Sequence, residues 1–185
     1  MFGPEDLRTL AEAFFYPEKE GFLNLIPPLK ALSKKVGLNF EGEFEVEDLE
    51  DLKVEYTRLF ITSPYYTPAP PYASVYLSSD RRLKGEGYDQ ALAFYREAGY
   101  EPVEEGELAD HVAYELAFMA LLLEENRKDL LREFLESHFL KWYPRFLSAL
   151  KKAEPKPFYR ALGELVSVIT NRLREEVVHE EKRFS

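Results

Sequence analysis

Apolar residues recur at intervals of three and four positions along most of the chain, which places them on one face of a helix. Gly37 and Gly99 each follow such a run, as glycine does at helix ends. Alternation typical of a strand occurs only at residues 40–46, which is too short to build a sheet. The predicted helices cover residues 4–16, 23–36, 46–60, 88–98 and 108–125, a stretch from Leu130 to Trp142 that Pro144 breaks or restarts, and a last helix opened by Pro157.

This pattern predicts an all-α protein. A length of 185 residues suits one domain, so we expect a single helical bundle over residues 1–185. The helix at 108–125 is apolar all round in its middle and should be the most buried. His138 and Trp142 stand in an apolar stripe and are expected in the core. Residues 175–185 are so rich in charge that we expect a frayed tail there.

A loop without charge interrupts the helical pattern. No residue from Leu59 to Ser79 is charged, although 31% of the chain is. The prolines exclude a membrane span here, because each removes a backbone donor and clashes with the preceding helical turn. The sequence predicts a stiff aromatic loop that either holds a ligand or lies flat on its own core. Its prolines and tyrosines are Pro64, Pro68, Pro70, Pro71, Tyr65, Tyr66, Tyr72 and Tyr76.

Charge and cysteine content exclude several classes of protein. A formal charge of −10 argues against nucleic-acid binding, which needs a basic surface, and fits a partner with a basic segment. The absence of cysteine excludes disulfides and thiolate metal sites. The N-terminus lacks the basic start and apolar run of a secretory signal, so we expect a cytoplasmic protein without stable membrane insertion.

Signatures of catalysis are missing from the sequence. No glycine precedes a lysine, so there is no phosphate-binding P-loop, and no Gly-x-Ser-x-Gly elbow occurs. A helical di-iron site needs two Glu-x-x-His pairs, whereas this chain has one, Glu176 with His179, in its charged end. We therefore expect neither an enzyme nor a cofactor.

One polar constellation stands at the start of the buried helix, formed by Glu107, Asp110, His111 and Glu115. On a helix, His111 and Glu115 would lie one turn apart on a shared face. Carboxylates at such a position can cap the free N–H groups of the helix. They can also present an acceptor to a ligand such as a guanidinium group. A helical metal- or nucleotide-binding protein that uses Asp110, His111 and Glu115 is a further alternative.

Several ordered pieces of the sequence stand out together. They are Tyr56-Thr57-Arg58-Leu59-Phe60, Pro70-Pro71-Tyr72-Ala73-Ser74-Val75-Tyr76, Arg82-Leu83 with Gly85, Tyr95 with Gly99, Glu107 to Met119, and Phe134-Leu135 with His138, Trp142, Pro144 and Phe146. The most specific is the Asp-His pair inside a Glu-x-x-Asp-His-x-x-x-Glu frame. Over residues 54–166 the chain thus resembles the TorD/DmsD family of cytoplasmic maturation chaperones for molybdenum-containing oxidoreductases.

The resemblance implies a TorD-like helical fold without catalysis. Members of this family bind the twin-arginine leader of an apo-molybdoenzyme subunit of the DMSO/TMAO-reductase type, hold it back from export, and favour insertion of the molybdenum cofactor before release. The implied partners are that leader and the body of the catalytic subunit, and the implied state is a monomer or a domain-swapped homodimer. The leader-binding residues it implies are Leu59, Phe60, Pro70, Pro71, Tyr72, Ser74, Asp110, His111 and Glu115.

One residue bears on which leader the chain would bind, and one arginine pair could be mistaken for a leader. Many members of the family have Trp where this chain has Tyr72, which keeps the aromatic contact but changes its size. The client is therefore left open, as is the weak binding of a guanine nucleotide suggested for relatives. The chain's own Arg81-Arg82 is not a leader, because it lies mid-chain and Lys84 and Gly85 follow instead of an apolar run.

Overall fold

The computed structural model describes residues 1–18, 20–40, 42–61, 66–104 and 106–184. In these residues the fold is all-α, as the sequence predicts. A 3-10 helix at Glu20–Leu25 precedes α2, and π-helical turns follow α3 at Thr57–Ile61 and α7 at Leu135–Phe139. The α-helices are α1 (Pro4–Ala13), α2 (Ile26–Lys35), α3 (Leu49–Tyr56), α4 (Ala73–Leu77), α5 (Glu86–Glu97), α6 (Val112–Glu124), α7 (Lys128–Phe134), α8 (Leu140–Lys152) and α9 (Pro157–Phe184).

Helix α6 is enclosed by other helices, because its side chains are apolar nearly all round. Helix α1 packs along it, α7 also lies against it, and α9 runs against α7 and α8. Leu116, Met119 and Ala120 of α6 are completely buried. Helix α6 is therefore deeply buried, as the sequence predicts, and the core forms around it.

Helix α6 begins later than the sequence predicts. Its first residue is Val112 instead of Leu108, because His111 has an extended backbone and acts as the N-cap. The Nδ1 atom of His111 accepts a hydrogen bond from the N–H of Ala113 at 3.0 Å. Residues 107–111 therefore do not follow a helical wheel, and the predicted shared face of His111 and Glu115 is not formed.

The chain end differs from the predicted frayed tail. Helix α9 continues to Phe184, and Val177 on it is buried in the core. Glu176 pairs with the N-terminal ammonium group at 3.3 Å, and Glu180 pairs with Lys128. Val177 and these ion pairs hold part of a segment that its charge density alone would leave unpacked, and fraying of its last residues stays a prediction.

The predicted break or restart of the helix at Pro144 does not occur. Helix α8 runs through Pro144, and the irregular turn lies earlier, at Leu135–Phe139. Pro144 lacks the N–H that would bond the carbonyl of Leu140, the first residue of α8, so one hydrogen bond is lost and the helix continues.

The uncharged loop is hydrogen-bonded to the start of α6. Tyr72 and His111 face each other in an isolated antiparallel bridge. Beside the bridge, the N–H of Val112 donates to the carbonyl of Pro71 at 2.9 Å. The chain then turns directly into the short helix α4, which the sequence assigned to the loop. Residues 62–65 of the predicted loop, among them Pro64 and Tyr65, lie outside the described residues.

Candidate functional site

A groove of about 910 Å³ lies where the π-turn after α3, the proline loop and the residues before α6 meet. This volume is within the range of ligand sites in proteins, about 300–1,000 Å³. The groove is mostly apolar and aromatic, and Ile61 and Tyr66 on it are 54% and 69% exposed. Its described lining residues are Tyr56, Phe60 and Ile61; Tyr66, Thr67, Pro70, Pro71 and Tyr72; and Val75, Arg81, Leu83, Gly106, Glu107 and His111.

The floor of the groove belongs to the aromatic core. The ring of Phe60 makes edge contacts with Tyr56 and Tyr159, with centroids 4.9 and 5.4 Å apart. Phe60 is only 5% exposed, and its neighbour Leu59 is completely buried. The floor of the loop therefore lies on the core, as one of the two interpretations predicts, and its rim is open to solvent; that the loop holds a ligand stays a prediction.

Glu107 supplies the carboxylate among the described lining residues. The phenol of Tyr72 donates a hydrogen bond to Oε2 of Glu107, and both side chains are half-buried. Burial, followed by this hydrogen bond, raises the pKa of Tyr72, so its phenol stays protonated and remains a donor. The carboxylate is thus held at the groove by one of its two oxygens.

His111 places a neutral donor in the groove. Because its Nδ1 accepts the hydrogen bond from Ala113, the proton must sit on Nε2. Nε2 is buried and has no hydrogen-bond partner among the described residues. Burial lowers the pKa of His111 to about 3, so the ring is uncharged at neutral pH. The ring stacks on Phe15 at 5.9 Å and meets the edge of Tyr72 at 5.2 Å, which fixes its orientation.

Asp110 lies beneath the groove instead of in its wall. It is completely buried, and its Oδ2 accepts a hydrogen bond from the N–H of Ser74 at 2.9 Å, in the first turn of α4. Burial raises the pKa of Asp110, and the bonds to Ser74 partly oppose that change. Ser74 in turn accepts hydrogen bonds at Oγ from the N–H groups of Gly85 and Tyr88, at 3.1 and 2.8 Å. Asp110 therefore positions α4 and the chain that follows it.

Glu115 points into the core. Its carboxylate accepts hydrogen bonds from Nε2 of His138 at 2.8 Å and from Nε1 of Trp142 at 3.0 Å. The other ring nitrogen of His138 lies 2.9 Å from Oε1 of Gln90. Burial raises the pKa of Glu115, and His138 partly opposes that change. This network ties α5, α6, the second π-turn and α8 together, and it includes the two residues that the sequence assigned to the core.

The structure divides the nine predicted binding residues into two layers. The residues that line the groove are Phe60, Pro70, Pro71, Tyr72 and His111. The completely buried residues that do not line it are Leu59, Ser74, Asp110 and Glu115. The carboxylate of Glu115 is occupied in the core, so the structure does not favour its direct contact with a leader, and its place in the binding surface stays an untested prediction. Sequence reasoning missed the rim at Ile61 and Tyr66, although their place in the uncharged stretch was an available signal.

The alternative metal site finds no support in the geometry. The three side chains form hydrogen bonds in different directions. Asp110 bonds Ser74, His111 bonds Ala113, and Glu115 bonds His138 and Trp142. Within the described ranges no three His, Asp or Glu side chains are grouped so that they could hold a metal ion. None of the helices described is both long and apolar enough to cross a membrane.

The family model described as nitrate reductase delta subunit matches residues 18–148, which include every lining residue of the groove. The chain belongs to this family. The resemblance to the TorD/DmsD chaperones that the sequence pieces indicated is thereby confirmed.

Curated relatives agree with this family assignment. The Tat proofreading chaperone DmsD of Salmonella typhi is 31% identical over 136 residues, and that of Salmonella typhimurium is 30% identical over 136 residues. Each match covers 73% of this chain and 66% of the relative. A candidate redox enzyme maturation protein from Archaeoglobus fulgidus superimposes with a TM-score of 0.63 over 96% of this chain and 94% of its own. At 24% identity this likeness shows the fold alone.

Proposed function

We propose that this protein is a cytoplasmic chaperone that binds the twin-arginine leader of an apo-molybdoenzyme subunit and holds the subunit for insertion of the molybdenum cofactor before export. The observation that carries the proposal is the carboxylate of Glu107 beside an exposed apolar and aromatic rim. A leader of this kind has two arginines followed by an apolar stretch, so its receptor needs both features. The name of the Salmonella relatives, Tat proofreading chaperone, supports the same function.

Glu107 is the residue that we assign to the leader's arginines. A carboxylate forms charge-assisted, geometrically matched hydrogen bonds with a guanidinium group. Asp110 and Glu115 are completely buried and do not line the groove, whereas Glu107 is half-buried in the groove wall. The net charge of −10 would also speed the approach of a basic segment.

The apolar part of the leader fits the rim formed by Ile61, Tyr66, Pro70 and Tyr72. Ile61 and Tyr66 are largely exposed in the free protein, so covering them removes apolar area from water. Proline and packed aromatic rings lose little conformational freedom on binding, which reduces the entropic cost of association.

His111 would hold the leader's backbone. Its Nε2–H is a buried donor without a partner among the described residues, and such a group costs about 1–3 kcal/mol. A carbonyl oxygen of a bound peptide would satisfy it. This contact would be made with the main chain of the leader and not with its side chains. It would therefore add affinity without discriminating between leader sequences.

The buried residues of the predicted set have a supporting role in this proposal. Asp110 and Ser74 fix α4 against the start of α6, and Glu115 fixes α6 against α8. The lack of catalytic turnover, the contact with the body of the catalytic subunit, and the choice between a monomer and a domain-swapped dimer stay predictions.

Calorimetry with a synthetic leader peptide tests the proposal. The peptide carries two consecutive arginines and an apolar stretch, and a matched peptide carries glutamines in place of both arginines. Loss of a charge-assisted contact is worth about 1.5–3 kcal/mol, so we expect the glutamine peptide to bind at least about tenfold more weakly. Equal affinity for the two peptides, or binding of neither, would contradict the proposed function.

A further inference from the structure

The turn between α4 and α5 carries two arginines and an apolar residue, Arg81-Arg82-Leu83, the same elements that the proposed ligand has. Its place in the middle of the chain excludes it as an export leader. The structure nevertheless places Arg81 and Leu83 on the wall of the groove, while Arg82 is not among the described lining residues. The wall of the groove thus includes a cation and an apolar side chain from this turn, both of them exposed to solvent.

Both ends of this turn are hydrogen-bonded to Ser74. Ser78 Oγ donates to the carbonyl of Ser74 at 2.7 Å, and the N–H of Gly85 donates to Ser74 Oγ at 3.1 Å. Between these ties, Arg81 and Lys84 have φ angles of 57° and 56°. This left-handed conformation is disfavoured for residues with a side chain, so the turn is held in a strained shape by its surroundings.

The two arginines differ in their partners. Nε of Arg82 pairs with Asp80 at 3.1 Å, and the Arg82 side chain is 81% exposed. No ion pair of Arg81 occurs within the residues that the structure describes, and Arg81 shares the groove with Glu107. Arg81 therefore adds positive charge to the groove in which the leader's arginines are proposed to bind.

We propose that Arg81 and Leu83 stand, in the free protein, next to the places that an arginine and an apolar residue of the leader take in the complex, so that leader binding displaces the turn at residues 79–84. This inference rests on the proposed function of the groove. The turn acts as an internal competitor, and it keeps weakly basic or weakly apolar segments out of an otherwise open site.

Affinity measurements on Arg81→Ala and Arg82→Ala test the electrostatic part. Both variants remove one exposed charge from the same turn, so they match in net charge and each serves as the control for the other. Two unit charges about 6 Å apart in water change an affinity by about threefold. We expect Arg81→Ala to bind the arginine leader about threefold more tightly at low salt, with a smaller change for Arg82→Ala and for the glutamine peptide. Screening at about 0.5 M salt should reduce the difference.

The absence of cysteine from the chain allows a direct test of displacement. Leu83→Cys and Ser79→Cys each introduce a unique thiol, one on the groove wall and one in the same turn off it. Saturation with the arginine leader should raise the rate at which a soluble disulfide reagent modifies the Leu83→Cys thiol, with little change for Ser79→Cys.

The outcomes separate this inference from the function on which it rests. The inference would be overturned if the Leu83→Cys thiol reacted more slowly or at an unchanged rate, or if Arg81→Ala bound the leader more weakly. In either case, binding of the arginine leader by the wild type would still support the proposed function. Equal affinities of Arg81→Ala and Arg82→Ala would overturn it as well. A wild type that binds neither peptide would overturn both.

Discussion

Replacing Asp110 by alanine removes the acceptor of a buried backbone donor. The carboxylate is completely buried and bonds the N–H of Ser74 at 2.9 Å. An unsatisfied buried N–H costs about 1–3 kcal/mol. In a chain of this length each kcal/mol lowers Tm by about 2–4 °C, so we expect Asp110→Ala to lower Tm by about 2–12 °C.

Asp110→Asn is the matched control, because the amide keeps an acceptor oxygen while it removes the charge. Burial raises the pKa of Asp110 above its ordinary value, so ionisation opposes folding. The wild type therefore loses stability relative to Asp110→Asn as pH rises from about 3.8 through the raised pKa, and the difference vanishes below that window. At pH 7 we expect the asparagine variant to be at least as stable as the wild type.

Thermal unfolding followed by circular dichroism at pH 4 and pH 7, with leader affinity measured per folded molecule, checks these expectations. Asp110→Asn should bind the leader as the wild type does, since Asp110 is not in the groove wall. If Asp110→Asn kept its Tm but bound the leader tenfold more weakly, Asp110 would contact the leader and its assigned supporting role would be wrong. If the alanine variant were as stable as the asparagine variant, the bond to Ser74 would not matter.

Three further changes probe the rim, the core network and the imidazole. Tyr72→Ala should weaken leader binding by about 2 kcal/mol or more, roughly thirtyfold, whereas Tyr72→Trp should be tolerated; calorimetry measures both, and unchanged affinity for the alanine variant would refute the aromatic contact. Glu115→Ala leaves the ring donors of His138 and Trp142 unpaired and should cost about 3–5 kcal/mol in urea unfolding, and a loss below about 1 kcal/mol would contradict the network. His111, with its pKa lowered to about 3, should show no NMR titration between pH 5 and 8, and its protonation in the unfolded state should reduce stability as pH falls below about 6.5; a ring titrating near 6.5 would contradict its burial.

Periodicity predicts most of the helices because a helix must bury a stripe of apolar side chains whatever its neighbours are. The uncharged loop and the buried core position of Trp142 follow from the same reasoning. The π-turns at Thr57–Ile61 and Leu135–Phe139 have no such local signature. The second turn packs against α5 and α9, and sequence spacing does not show those neighbours.

The choice of carboxylate depended on where α6 begins. A helix that started at Leu108 would align His111 with Glu115 and carry Asp110 on its surface. With His111 as the N-cap, Asp110 instead lies in the turn that precedes α6, and its carboxylate accepts the hydrogen bond from Ser74 of α4. A shift of four residues in one helix start therefore moves the predicted anion from Asp110 to Glu107.

A double-mutant cycle on Glu107 and the leader's arginines tests the central claim most directly. Calorimetry compares wild type and Glu107→Gln with the arginine peptide and with its glutamine counterpart. A direct contact predicts a coupling free energy of about 1 kcal/mol or more. Glu101→Gln changes net charge equally at a residue that pairs with Arg96 at 2.9 Å and is not among the lining residues, so its coupling should be near zero. Strict additivity for Glu107→Gln, or equal coupling for both variants, would contradict the assignment of Glu107 as the acceptor of the leader's arginines.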